Sequence, residues 1–130
     1  MIVGVGIDLV DASRFERFIR EGNRRIIERL FTPAEQGYCD GKKSPAIHYA
    51  ARFAAKEALF KALGTGLRNG LSWQDPEILN DHLGHPAIRL SGESARLSSS
   101  RGVDRIHLSL SHEGTIAAAV VILETTERRR

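Results

Sequence analysis

The chain opens on a period of two. Val3, Val5, Ile7 and Leu9 alternate with Ile2, Gly4, Gly6 and Asp8, the pattern of a strand over Met1 to Val10 with one buried face. Glycine on the other face admits a second backbone or a ligand at close range. From Ser13 the spacing becomes helical. Ser13 with Glu16 makes a capping box, Gly22-Asn23 interrupts the helix, and a second, turn-rich helix runs to Leu30. Thr32-Pro33-Ala34-Glu35 repeats the start signal with proline at the first helical position, and Gly41 closes that short helix. Ser44-Pro45 opens a long helix that ends at Gly64.

The stretch from Thr65 to Pro86 is rich in Gly, Asn, Asp and Pro and offers only a short strand candidate near Trp73 to Leu79. Ala87 to Leu90 is another strand candidate, and Glu93 to Ser100 a short helix capped by Ser91 and stopped by Gly102. Arg105 to Ser111 and Thr115 to Glu124 form the clearest hairpin, joined through His112-Glu113-Gly114. Its second strand is apolar on both faces, so it belongs at the centre of a sheet or under a neighbouring subunit. The order predicts an α+β fold, a small and mostly antiparallel sheet packed against the long central helix and shorter helices. Residues 1–124 then form one domain, and Thr125 to Arg130 a frayed basic tail.

The long helix wears chemistry on two sides. At about 100° per residue, His48, Arg52 and Lys56 share one stripe, and Glu57 and Lys61 share another with Ala50 and Ala54. Tyr49, Phe53 and Phe60 make an aromatic stripe, while Ala51, Ala55, Ala58 and Ala62 form a row small enough to let another backbone close in. The plainest account of Glu57 and Lys61 is a surface i,i+4 pair worth about 0.2–0.5 kcal/mol.

Composition narrows the classes. A chain of 130 residues, 42% hydrophobic and 27% charged, suits one soluble globular domain whose core needs no disulfide support. Cys39 is the only cysteine, which leaves no disulfide framework or zinc cluster and points to a reducing cytoplasm. No signal-peptide pattern opens the chain, and no apolar run approaches the roughly 20 residues of a membrane span. The net charge is only +3, yet Arg14, Arg17, Arg20, Arg24, Arg25 and Arg29 outnumber Glu16, Glu21 and Glu28 between Ser13 and Leu30. That segment favours an acidic partner, protein or nucleic acid, or else is a solvated face laced with its own ion pairs.

Several motifs fail on spacing. Gly4-x-Gly6 lacks the third glycine and the helix start of a dinucleotide site, and Gly37 to Ser44 has the wrong spacing for a P-loop and no preceding strand. Ser111-His112-Glu113 holds triad residue types, but sequence neighbours rarely point at one another. What survives is Asp8 at the end of a strand and Glu57 on the helix, with Lys61 one turn beyond. Two carboxylates, completed by phosphate oxygens and water, are a usual way to hold Mg²⁺. A lysine beside them neutralises charge on a departing phosphate. Spacing alone does not establish that the two carboxylates meet, and Asp8 also suits a strand-end turn or a helix cap.

Three stretches carry a resemblance. They are Gly4-Val5-Gly6-Ile7-Asp8-Leu9-Val10 with Arg14-Phe15, then Arg52-Phe53-Ala54-Ala55-Lys56-Glu57-Ala58 with Lys61-Ala62, and Leu108-Ser109-Leu110-Ser111-His112 with Ala117 to Ile122. In order and separation they resemble the signatures of the holo-acyl-carrier-protein synthase group of 4′-phosphopantetheinyl transferases. The resemblance runs from Met1 to about Glu124, and the 72–86 loop is not diagnostic.

The resemblance implies an enzyme that moves the phosphopantetheine arm of coenzyme A onto a serine of apo acyl carrier protein for fatty-acid synthesis, leaving adenosine 3′,5′-bisphosphate. It implies Mg²⁺ held by Asp8 and Glu57, with Lys61 on the phosphates and Glu57 taking the serine proton directly or through water. It implies further coenzyme A contacts at His112, Arg52, His48 and Gly64, and carrier docking at Arg14, Phe18, Arg24 and Phe53. Finally it implies a homotrimer with sites between subunits. Alternatives stay open: His112 suits a hairpin turn, His48 and Arg52 can brace the helix, and Gly64 is an adequate helix stop. Two rival functions are a nucleic-acid-binding protein using the arginine-rich helices and a small metal-dependent nucleotide hydrolase. The favoured reading has no nucleic-acid or membrane partner.

Overall fold

The structure, a computed structural model, describes residues 1–66 and 70–127. In chain order it contains β1 (Ile2–Asp11), α1 (Ser13–Arg20), α2 (Arg24–Leu30), α3 (Pro33–Asp40), α4 (Pro45–Leu63), β2 (Pro76–Asn80), β3 (Pro86–Leu90), α5 (Gly92–Ser100), β4 (Arg105–Glu113) and β5 (Ile116–Glu124). The class is α+β, as expected. Strands β1, β5 and β4 form an antiparallel sheet in that order, and β2 pairs with β3 in a separate antiparallel ribbon. Among the described residues no helix is long and apolar enough to cross a membrane.

The two-sided apolar strand is indeed central. Ala117, Ala119, Val121 and Leu123 of β5 are buried. Alternation along the paired strands puts Gly4, Gly6, Asp8 and Val10 of β1 on that same face, which packs on α4. A β-carbon on Gly4 would stand 2.2 Å from the Ala62 carbonyl oxygen, and one on Gly6 1.9 Å from that of Ala58. The alanine row and the glycine face are therefore two halves of one backbone-to-backbone contact.

This arrangement corrects the expected burial of β1. Val5, Ile7 and Leu9 are 58%, 63% and 66% exposed, so the apolar row faces outward and the glycine face is the buried one. Strand periodicity separates two faces without saying which is covered. Here close approach to the helix settles it, because only the face without bulky side chains lets α4 sit so near.

Three local expectations also change. Ser13 lies inside α1, whose N-cap is Ala12 without a side-chain cap bond, and the Asp11 side chain accepts from the Ser13 N–H at 2.9 Å. His112 is a strand residue paired with Ala117, and the connection shrinks to Gly114-Thr115 with Gly114 at φ +59°. Thr125 is anchored by exchange of hydrogen bonds with Met1, and Thr126 by Asp104, so the segment after β5 starts tied down. The rest of the expected tail, residues 128–130, lies outside the described residues.

Other signals hold. Thr32 and Glu35 form the reciprocal capping box at the start of α3, and Gly64 ends α4 at φ +78°. The core gathers Phe15, Phe31, Tyr49, Phe53 and Phe60, with the Phe31 and Tyr49 ring centroids 4.8 Å apart. Cys39 is fully buried, and burial pushes its thiol up to about 12.

Beneath this core lies an ion pair. The Lys56 ammonium donates to Glu35 Oε1 at 2.7 Å, the Leu30 carbonyl at 2.9 Å and the Trp73 carbonyl at 2.6 Å, with both side chains fully buried. Glu35 also accepts from the Thr32 and Ile78 N–H groups. All three ammonium protons are used, so the pair ties together the α2 end, α3, α4 and the approach to β2.

Candidate active site

Because Asp8 follows Gly6 on the buried face of β1, its carboxylate reaches the flank of α4 one turn from the backbone contact. Lys61 meets it there. The Lys61 ammonium donates to Asp8 Oδ1 at 2.8 Å and to the Ile7 carbonyl at 3.1 Å. The bond to Asp8 raises the lysine above its ordinary value. Glu57, one turn earlier, is half-buried. Burial and the negative charge of Asp8 push the Glu57 carboxyl up, against the pull of Lys61 and Arg14. A carboxyl raised by burial and by a neighbouring carboxylate that itself carries a cation is an electrostatic arrangement that a divalent ion would neutralise.

The donor chemistry fits Mg²⁺. Asp8 and Glu57 offer hard oxygens, and the Lys61 ammonium stands where positive charge is called for. Among the described residues no group of three or more His, Cys, Asp and Glu gathers to hold a metal. A metal here would take the rest of its coordination from water and substrate oxygens, the habit of Mg²⁺.

Of the docking candidates, Arg14 lies near enough to this cluster to act on Glu57. The Arg14 guanidinium sits 5.7 Å from the Phe53 ring centroid, while Phe53 itself is only 8% exposed. Phe18 packs edge-on against Phe15 at 5.8 Å. Arg24 is engaged within the chain, donating to both Asp40 oxygens and to Gln36 at 2.9 Å. Phe53 and Arg24 thus have structural tasks of their own, and the exposed Arg14 is the most available of the four.

A second cluster forms at the other edge of the sheet. His48, Arg52 and His112 line a cavity of about 370 Å³ with Tyr38, Asn80 and His85. Arg52 is 3% exposed and stacks with its guanidinium carbon 3.9 Å from the Tyr38 ring centroid, and its Nε has no hydrogen-bond partner among the described residues. Lys42 lies 4.5 Å from the same ring. Burial, followed by the charges of Arg52, Lys42 and His112, pushes His48 below its ordinary value. Concentrated positive charge around an aromatic floor suits a phosphorylated, ring-bearing ligand.

Sequence reasoning missed Tyr38, Lys42, Asn80 and His85. They come from three segments with no shared spacing, and only the buried Arg52 could have drawn attention to them. It also placed Lys56 with His48 and Arg52 on one chemical stripe. The structure takes Lys56 out of the site and into the core.

Gly64 belongs to neither cluster. Its positive φ strains any other residue, and Arg101 Nη1 lies 3.7 Å from where a β-carbon would project. Asp8 and His112 share a sheet face but stand on opposite edge strands, facing Ala119 and Ala117 of β5 respectively. Two inter-strand steps separate those strands by about 10 Å.

Known proteins resemble this chain in sequence and in fold. Residues 4–121 match the 4′-phosphopantetheinyl transferase superfamily. A holo-[acyl-carrier-protein] synthase of Geotalea daltonii is 55% identical over 124 residues, 95% of this chain and 99% of its own. The crystal structure of the synthase from Neisseria meningitidis superposes with a TM-score of 0.87 at 34% identity, covering 96% of this chain and all of its own. A Bacillus anthracis synthase solved in complex with CoA (3′,5′-ADP) gives 0.79 at 37% identity, covering 97% of this chain and 99% of its own. With a family match over residues 4–121 and full-length likeness at this level, the chain belongs to the holo-[acyl-carrier-protein] synthase family of the 4′-phosphopantetheinyl transferase superfamily.

Proposed function

We propose that the chain transfers 4′-phosphopantetheine from coenzyme A to a serine of apo acyl carrier protein, with Mg²⁺, as a cytoplasmic homotrimer of single-domain subunits. The observation that carries this reading is the Lys61–Asp8 ion pair between β1 and α4, with Glu57 one turn along the helix and within reach of both charges. In the reaction the serine oxygen bonds to the β-phosphorus while the bond from that phosphorus to the bridging oxygen breaks, releasing adenosine 3′,5′-bisphosphate. Asp8 and Glu57 would hold Mg²⁺, which supplies charge neutralisation for the pyrophosphate. The Lys61 ammonium pairs with the departing phosphate, and Glu57 takes the serine proton directly or through a water.

His48, Arg52 and His112 then hold the nucleotide end, with Tyr38 as a floor. Arg14 meets the acidic carrier, with Phe18, Phe53 and Arg24 around it. Two facts support assembly: the outward row Val5, Ile7 and Leu9 is exposed, and the two halves of the site occupy opposite edges of one sheet. A neighbouring copy brings one chain's His112 edge to another's Asp8 edge and covers the apolar row.

Incubating the protein with apo carrier, coenzyme A and Mg²⁺, and weighing the carrier, tests the activity. A gain of the phosphopantetheine mass is expected, with about a hundredfold or greater loss of rate in Glu57→Gln at unchanged fold. No gain with any apo carrier, or full activity of Glu57→Gln, overturns the assignment.

A further inference from the structure

Lys61 has two claims on it. The reaction calls for its ammonium on a phosphate, yet it donates to Asp8 Oδ1 at 2.8 Å and to the Ile7 carbonyl at 3.1 Å. Asp8 is only 15% exposed at its side chain, tucked against α4, whereas the lysine side chain is 52% exposed. The carboxylate is thus held in place and the ammonium is carried on a flexible stem open to solvent. Glu57 sits one turn away, where the charges of both Asp8 and Lys61 act on it.

Resting on the proposed metal role of Asp8 and Glu57, we infer that Lys61 is the resting counterion of the site and is exchanged for the divalent cation. An ammonium and a divalent ion cannot share Asp8 Oδ1 without strong repulsion, and the exposed, flexible partner is the one that yields. Released from Asp8, the ammonium on its solvent-exposed stem would be free to meet a phosphate beside the same two carboxylates. The same charge therefore keeps two carboxylates together before ligand binds and serves the phosphate afterwards. The order follows: metal entry at Asp8 frees Lys61 for coenzyme A.

The exchange is read by binding of Mn²⁺ alone, without coenzyme A, followed by electron paramagnetic resonance. Lys61→Met keeps the apolar stem and removes the competitor, so it is expected to bind Mn²⁺ about tenfold more tightly than the unchanged chain. Lys61→Gln should move the same way, and Asp8→Asn should abolish binding. Equal or weaker Mn²⁺ binding by both Lys61 variants, with Asp8→Asn still inactive in binding, overturns the exchange and leaves the metal site standing. Mn²⁺ binding indifferent to Asp8→Asn, or no binding by any chain up to millimolar metal, overturns the exchange together with the metal assignment.

Discussion

Gly6 and Ala58 touch backbone to backbone: a β-carbon on Gly6 would stand 1.9 Å from the Ala58 carbonyl oxygen and 2.8 Å from the Ala62 nitrogen. Neither neighbour is a side chain that can swing away. The contact sets the height of β1 over α4, and through it the meeting of Asp8 with Lys61 and Glu57.

Gly6→Ala is accordingly expected to cost about 3 kcal/mol and to displace Asp8 in whatever remains folded. Thermal melts and the transfer assay check both parts. Gly37→Ala is the control, since among the described residues nothing beyond its own stretch of helix lies within 4 Å of where a β-carbon would project. In α3 that substitution should be neutral or stabilise by about 0.5–1 kcal/mol.

Arg14→Glu should raise the Michaelis constant for the carrier about tenfold or more while changing coenzyme A binding less than about threefold. Steady-state kinetics in carrier and direct titration with coenzyme A separate the two. Equal loss of both rejects Arg14 as a docking residue.

Removing one member of the buried Lys56–Glu35 pair should be severe. Lys56→Met leaves the Glu35 carboxylate buried without its cation, and a loss of about 3–5 kcal/mol is expected in chemical denaturation. Adding Glu35→Gln should recover part of it, because the remaining groups are then uncharged.

The Arg24–Asp40 clamp gives a pH signature. Burial pushes the Asp40 carboxyl up, but the Arg24 guanidinium and the Tyr49 hydroxyl outweigh it and hold the group below the ordinary carboxylate range. The unfolded chain therefore takes up this proton first as pH falls. Stability from the clamp is present above about pH 4 and lost as pH drops through the lowered folded value. Asp40→Asn should lose under about 1 kcal/mol at pH 7, since the pair is half exposed, and show a shallower fall in melting temperature between pH 5 and 3.

Legibility followed the range of the interaction. The capping box at Thr32 and Glu35, the proline start and glycine end of α4, and the central place of β5 depend on neighbours in sequence or on gross apolarity, and each was readable. The buried face of β1 was not, because Val5 and Gly6 trade places according to what lies across from them. Glu35 shows the same limit. Its capping role is local, but its second partner, Lys56, is 21 residues away and announces itself by no spacing. Asp8 and Glu57 stand between these cases: each residue type suggested a metal, and resemblance to a family tied them together before geometry did.

The strand order β1-β5-β4 has a genetic consequence. If one subunit lends its β1 edge and the next its β4 edge, an Asp8→Asn chain and a His112→Ala chain are defective at different halves of a shared centre. Mixed from denaturant in equal amounts, they should rebuild about one quarter of the centres intact, where each alone rebuilds none. Two broken copies of one gene could then sustain a cell that neither supports by itself.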